Sequence, residues 1–143
     1  AMTYDQNEKW EKSDDLYTKL ITINDQDAQA YNNFAYSLVE RGEDLEYALR
    51  LSKKAIKISP QTSAYLDTIG WIYYKLSDLE KAKEFISKAI LYDDTSAVIL
   101  EHYGDILMDL NEESEALIFY QKALLLDENN EDLISKISSN ENQ

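Results

Sequence analysis

The amino-acid sequence predicts an all-α fold assembled from repeated helical hairpins. Small residues recur at one fixed interval of 34 residues. The two clearest series are Ala48, Ala82 and Ala116, and Ala55, Ala89 and Ala123. One proline and three glycines among 143 residues leave few turn signals for a β protein. Equal small residues at equal phase indicate that helices approach closely at equivalent points, so the chain is predicted to be an array, and such arrays usually bind rather than catalyse.

The chain is strongly acidic. It contains 28 Asp and Glu against 14 Lys and Arg, a formal net charge of -14. Such a surface repels phosphate backbones and anionic lipid headgroups, which disfavours nucleic-acid and membrane-surface partners. No apolar stretch of the sequence approaches the ~20 residues needed to cross a bilayer. The absence of cysteine excludes disulfides, thiolate zinc sites and a cysteine nucleophile, but it leaves the compartment open.

The clearest repeat spans residues 63–96. Leu66, Ile69 and Tyr73 lie at helical spacing in its first half. After a short polar turn, the segment LEKAKEFISKAILY continues the same helical pattern. Two helices joined by a tight turn are therefore predicted, and residues 97–130 repeat this arrangement.

Three further segments complete the predicted organisation. A repeat with one extra residue in its turn spans residues 28–62. Before it, residues 1–27 supply mainly the second helix of a partial N-terminal repeat, so the sequence is expected to begin inside a repeat. At the other end, residues 131–143 predict a short capping helix, followed after Ser138 by a disordered tail.

These repeats resemble the tetratricopeptide repeat family, whose 34-residue hairpin carries the pattern W-x2-L-G-x2-Y, then A-x3-F, then A and P. The matching positions are Leu66, Ile69, Gly70, Tyr73, Ala82, Ile86 and Ala89 in the third repeat, and Leu100, Tyr103, Gly104, Leu107, Ala116, Tyr120 and Ala123 in the fourth. Ala35 and Ser52 depart from the pattern in the second repeat. The resemblance covers nearly the whole chain and implies a right-handed α-solenoid whose first helices line a concave groove.

No residue pattern supports catalysis. His102 is the single histidine, and beside Glu101 it would suggest a metal or an acid–base pair. Adjacent helical residues point in different directions, however, so we interpret His102 as a polar residue beside the groove. Carboxylate pairs such as Asp93-Asp94 fit helix starts and turns. Residues 127–131 lack the mid-loop glycine of a calcium loop. The sequence therefore predicts no enzyme, no metal and no cofactor.

A stripe on the first helices lies off the buried face and is the predicted peptide-binding surface. Its residues are Asn32, Tyr36 and Val39 in the second repeat, Asp67, Trp71, Tyr74 and Lys75 in the third, and Glu101, Asp105 and Met108 in the fourth. The resemblance implies that this stripe faces the groove. Tyr36, Trp71, Tyr74 and Met108 would form its floor, with Asp67, Glu101, Asp105 and Asp109 as a rim. Aromatic anchors inside a polar rim are usual in peptide-binding surfaces. The other interpretation is that Trp71 packs against the neighbouring first helix.

The acidic rim favours a basic or apolar protein segment as partner. Some family members bind acidic C-terminal tails of chaperones through a clamp of Lys, Arg and Asn, but only Asn32 and Lys75 are similar here, so that function is not carried over. The alternative is a structural spacer or a self-associating segment of a larger protein, with Trp10, Leu16 and Leu20 as an apolar edge for another copy. The repeats are similar to those of bacterial proteins, including envelope-associated ones. Because a native leader could have been removed, cytoplasm and periplasm both stay open.

Overall fold

The computed structural model describes residues 4–141. These residues form eight α-helices: α1 (Tyr4–Ile23), α2 (Ala28–Arg41), α3 (Leu45–Ile58), α4 (Ser63–Lys75), α5 (Leu79–Tyr92), α6 (Ala97–Asp109), α7 (Glu113–Leu126) and α8 (Glu131–Glu141). No strand occurs within the described range. The predicted all-α class is confirmed.

The helices belong to two compact units. The N-terminal unit, Ala1–Pro60, contains α1 to α3, and the C-terminal unit, Gln61–Gln143, contains α4 to α8. Packing is closest within the hairpins, which pair α2 with α3, α4 with α5, and α6 with α7. In the N-terminal unit α1 also packs on α2. In the C-terminal unit α5 packs on α6, α7 on α8, and the first helices α4 and α6 also touch each other.

Side-chain caps satisfy free backbone donors at the start of several hairpin helices, including α2 and α5. The Asp27 carboxylate accepts from the Ala30 N–H at 3.0 Å, and the Asp78 carboxylate accepts from the Lys81 N–H at 3.2 Å. The first N–H groups of a helix have no partner within it, so a short acidic side chain at this position stabilises the helix start. These caps explain why α2 and α5 begin where they do.

Each hairpin has a residue in the left-handed region just after its first helix, and the longer turn between α2 and α3 has a second, Asp44, with a φ of 42°. Gly42, Ser77 and Asn111 have φ values of 67°, 66° and 64°. Glycine adopts this conformation without strain, and asparagine tolerates it better than most residues. Ser77 and Asn111 are 34 residues apart, so the predicted tight turn is built in the same way in the two hairpins of the C-terminal unit.

The recurrent alanines lie where two helices meet. All six residues of the two series, Ala48, Ala55, Ala82, Ala89, Ala116 and Ala123, are 0% exposed. A methyl group is the largest side chain that a close helix crossing accepts without displacing its neighbours. Equivalent close contacts between helices therefore recur every 34 residues along the chain.

The two glycines at the crossing position face bulky residues. A Cβ added to Gly104 would lie 2.5 Å from Cε1 of Tyr120, and a Cβ at Gly70 would collide with the Ile86 side chain. In the second repeat the equivalent positions hold Ala35 and Ser52, both 0% exposed. Because serine is smaller than isoleucine or tyrosine, we infer that it leaves room for the alanine methyl. The two departures from the family pattern then compensate each other in size.

The C-terminal segment differs from its prediction. Helix α8 continues to Glu141, three residues beyond Ser138, where the sequence predicts a disordered tail. The tail prediction is wrong for these residues, because Leu133 and Ile137 are buried and anchor the helix on which residues 139–141 follow. Residues 1–3 and 142–143 lie outside the described part of the chain. In that part, no helix combines the length and the apolar character that crossing a bilayer requires.

Candidate functional site

The predicted stripe is centred on Trp71 in the C-terminal unit. The indole stacks on Tyr74, which follows one turn later, with ring centroids 4.6 Å apart and an interplanar angle of 13°. The Lys75 ammonium lies 5.0 Å from the centroid of the Trp71 ring. Spacings of three and four residues place these side chains on one face of α4. This face therefore presents a half-buried aromatic pair beside an exposed ammonium.

Trp71 also packs against the neighbouring first helix. The His102 ring of α6 stacks on the indole, with centroids 3.8 Å apart and planes inclined by 15°. The His102 Nδ1 lies 3.0 Å from Oδ1 of Asp67, and with a proton on Nδ1 the imidazole donates to this carboxylate. The Asp67 and His102 side chains are only 11% and 13% exposed. Packing of Trp71 on a first helix, one of the two interpretations left open by the sequence, is confirmed, although the indole is half-buried rather than fully buried.

A second contact between the same helices fixes Tyr74. Its hydroxyl donates to Oδ2 of Asp109 at 2.7 Å. Burial raises the pKa of Tyr74, and the hydrogen bond to the Asp109 carboxylate raises it further. Tyr74 is therefore neutral at physiological pH, and its ring is held in place next to Trp71.

The two remaining carboxylates of the predicted rim bind a lysine of α8. The Lys136 ammonium donates to Oε2 of Glu101 at 2.7 Å and to Oδ1 of Asp105 at 2.9 Å. The Tyr120 hydroxyl donates to the same Asp105 oxygen at 2.7 Å. Burial lowers the pKa of Lys136, but the hydrogen bonds to the two carboxylates outweigh it, so the net pKa is raised. The rim is thus hydrogen-bonded within the unit rather than a row of unpaired charges.

Three polar contacts between neighbouring helices share one spacing along the chain. Asp67 and His102, Tyr74 and Asp109, and Glu101 and Lys136 are each 35 residues apart. This spacing is one repeat of 34 residues plus one residue. Each contact therefore joins a residue to the one that follows the equivalent position 34 residues later. The sequence predicts His102 only as a polar residue beside the groove, and it does not predict the contacts of Tyr120 and Lys136. Searching for complementary polar residues at a spacing of 35 would have found His102 and Lys136.

Three of the ten predicted binding residues are corrected. Asn32, Val39 and Asp67 are 6%, 2% and 7% exposed and offer no contact surface. Asp67 is buried because its carboxylate bonds to His102, and Asn32 and Val39 belong to the buried part of α2, which is wider than one stripe. The seven others stay predictions. Tyr36 lies in the N-terminal unit and is 46% exposed, and Trp71, Tyr74, Lys75, Glu101, Asp105 and Met108 lie in the C-terminal unit.

The polar side chains of this surface are engaged in hydrogen bonds and ring stacking. Within the described part of the chain, no three His, Cys, Asp or Glu side chains are arranged to hold a metal ion. Asp67 and His102 form a pair at 3.0 Å, and the other carboxylates bond to Lys136 and to tyrosine hydroxyls. These side chains can order aromatic rings and present them to a partner.

The class of protein follows from these observations: an all-α protein of helical hairpins whose first helices carry an aromatic and polar surface. The tetratricopeptide repeat family model matches residues 64–95 and 97–130. These two segments therefore match tetratricopeptide repeats, which confirms the resemblance and the predicted helical-repeat class.

Solved structures share this fold. MamA superposes with a TM-score of 0.79 at 13% identity, over 98% of this chain and 84% of that chain. YrrB, described as a TPR protein with an unusual peptide-binding site, gives a TM-score of 0.76 at 27% identity, over 85% of this chain and 62% of that chain. The first TPR of Spaghetti (RPAP3), bound to the HSP90 peptide SRMEEVD, gives 0.76 at 16% identity, over 82% and 94% of the two chains. No curated protein sequence matches the chain significantly.

Proposed function

We propose that the chain is a non-catalytic protein-interaction module that binds a basic or apolar segment of a partner on the face formed by α4 and α6. The observation that carries the proposal is the stacked pair of Trp71 and Tyr74, with centroids 4.6 Å apart. His102 and Asp109 hold the two rings before any partner arrives. Large aromatic side chains that are already ordered lose little entropy on binding, which makes them effective anchors.

The charge of this face supports a basic partner. Four carboxylates, Asp67, Glu101, Asp105 and Asp109, stand against the two ammonium groups of Lys75 and Lys136. Apart from His102, this leaves two negative charges in excess. Attraction to a positive segment speeds association, whereas a carboxylate-rich segment is repelled.

The relatives support peptide binding in general and leave the partner open. YrrB is described as having a peptide-binding site, and the Spaghetti domain is bound to SRMEEVD. That peptide contains three acidic residues. An excess of carboxylates on the α4–α6 face disfavours such a peptide, so we expect this chain to select a different sequence.

Replacing Trp71 with alanine is expected to weaken partner binding at least about tenfold, because truncating a central aromatic anchor typically costs about 2 kcal/mol or more. Peptides selected from a random library against the unmodified protein supply the ligand, and isothermal calorimetry measures affinity. Tyr92→Ala is the matched control, since Tyr92 is a 48% exposed aromatic residue on α5 of the same unit. Unchanged affinity in Trp71→Ala, with thermal melting showing that the variant is folded, would remove α4 from the binding site.

A second candidate function is self-association through α1. The sequence predicts an apolar edge of Trp10, Leu16 and Leu20. In the structure Leu16 and Ile23 are 59% and 84% exposed, whereas Trp10 is half-buried and the Arg41 guanidinium lies 4.7 Å from its ring. The exposed edge therefore consists of leucine and isoleucine side chains, and Trp10 is less exposed than they are.

Replacing Leu16 with glutamate is expected to leave any dimer population at least about tenfold smaller, because a charge would be buried in an apolar contact. Sedimentation equilibrium over a wide concentration range measures this population in the unmodified protein and in the variant. Lys19→Gln, which changes the net charge by the same one unit at an exposed position of α1, is the control. A monomer at every concentration of the unmodified protein would reject self-association.

A further inference from the structure

A cavity of about 310 Å³ lies between α1 and α2 in the N-terminal unit. Trp10 and Tyr17 of α1 and Tyr36 of α2 form aromatic walls, and Glu40 of α2 adds a carboxylate. None of these four residues belongs to the α4–α6 face. The cavity is thus a separate concave site with one acidic group, which is the kind of place where proteins bind side chains or small ligands.

Two of the three aromatic walls are fixed by contacts outside the cavity. The Arg41 guanidinium lies 4.7 Å from the Trp10 ring centroid and donates to Oδ1 of Asp14 at 2.7 Å. The Arg41 side chain is only 4% exposed, so it supports the indole from within the unit. Tyr17 stacks on Phe34 with centroids 5.3 Å apart and planes inclined by 18°. The walls are ordered in advance, which lowers the entropy cost of accepting a ligand.

The chemistry of the lining selects a cation with an apolar stem. Aromatic faces attract ammonium and guanidinium groups, and Trp10 already accommodates one guanidinium, that of Arg41. Glu40 is exposed and forms no ion pair with any residue of the described range. No basic residue lines the cavity. A bound ligand therefore gains most by bringing a positive charge to Glu40.

We propose that this cavity binds a lysine or arginine side chain of a protein partner. The aliphatic stem lies along the rings of Trp10, Tyr17 and Tyr36, and the charged end reaches the Glu40 carboxylate. Long basic side chains bury their stems on apolar surfaces while their charge stays near solvent and acceptors. This cavity is separate from the α4–α6 face, so the proposal does not depend on that face binding a partner.

The test uses Trp10 as a local reporter. The sequence contains two tryptophans, so in a Trp71→Phe background only Trp10 contributes indole fluorescence. The probes are the capped tetrapeptide Gly-Lys-Leu-Gly and its analogue with norleucine in place of lysine. The lysine peptide is expected to change Trp10 fluorescence saturably and to bind about tenfold more tightly than the analogue, because only lysine brings the cation. Glu40→Gln is expected to abolish this preference.

Glu46→Gln is the matched control for charge. Glu46 is exposed on α3 of the same unit and does not line the cavity, so its substitution is expected to leave the preference for lysine within about twofold. Equal affinity for the two peptides would overturn the proposal. So would an equal loss in Glu40→Gln and Glu46→Gln, since that result would show only general attraction to an acidic protein.

Discussion

Replacing Gly104 with alanine is expected to lower the free energy of unfolding by about 2–4 kcal/mol. The added Cβ would lie 2.5 Å from Cε1 and 2.6 Å from Cδ1 of Tyr120. The Tyr120 ring cannot withdraw freely, because its hydroxyl donates to Asp105 at 2.7 Å and the residue is 2% exposed. Either the helices separate or this hydrogen bond breaks, and both outcomes destabilise the fourth repeat. Chemical denaturation measures the loss.

Two controls separate this steric effect from a general preference of the helix. Ser138 stands 34 residues after Gly104 and is exposed on α8, so Ser138→Ala is expected to change stability by less than about 0.5 kcal/mol. Combining Gly104→Ala with Tyr120→Ser recreates the pair of Ala35 and Ser52. The second change is expected to cost less in the Gly104→Ala background than alone. Additive losses would contradict the proposed compensation in size.

Replacing Tyr120 with phenylalanine is expected to make stability less dependent on pH above about pH 10. Burial raises the pKa of Tyr120, and the hydrogen bond to Asp105 adds to the rise. In the unfolded chain the phenol ionises near its ordinary pKa of about 10, where the folded chain still holds the proton. Stability is therefore complete below pH 10 and falls above it, by about 1.4 kcal/mol per pH unit for this tyrosine.

The expected signature is a change of slope rather than a simple loss. At pH 8 the Tyr120→Phe variant is less stable than the unmodified protein by about 1 kcal/mol, because the hydrogen bond to Asp105 is gone. As the pH rises, the variant loses less stability than the unmodified protein, because it lacks the Tyr120 phenol, whose ionisation favours the unfolded chain. Urea denaturation between about pH 8 and pH 11 measures both effects. Tyr92→Phe, which alters a tyrosine 48% exposed on α5, is the control. Parallel curves for all three proteins would contradict the linkage.

The periodic part of this molecule could be predicted from the sequence. The alanine series and the glycines at positions 70 and 104 repeat at a fixed interval, because each must fit a close crossing of two helices. The same close helix packing limits side-chain size in every repeat, so the small residues recur several times in one sequence. The helical hairpins and the resemblance to the family could therefore be predicted from the sequence.

The polar contacts of the site were harder to predict. His102 was interpreted as a groove-side polar residue, yet it both stacks on Trp71 and bonds to Asp67. Lys136 lay in a segment predicted as a simple cap, yet it bonds to Glu101 and Asp105. Each pair joins different helices, so the identity of a partner depends on how two repeats pack, which a single helical face does not encode. The acidic stripe was visible in the sequence, and its partners were not.

Mapping a selected peptide onto the protein by NMR tests the central claim most directly. The side-chain signals of Trp71 and Met108 report on the α4–α6 face, and those of Tyr92 and Leu125 report on exposed parts of α5 and α7. Binding on the α4–α6 face is expected to shift the Trp71 indole N–H and the Met108 methyl most strongly, with Tyr92 and Leu125 nearly unchanged. Strong shifts confined to Tyr92 and Leu125 would contradict the claim that the first helices carry the binding surface.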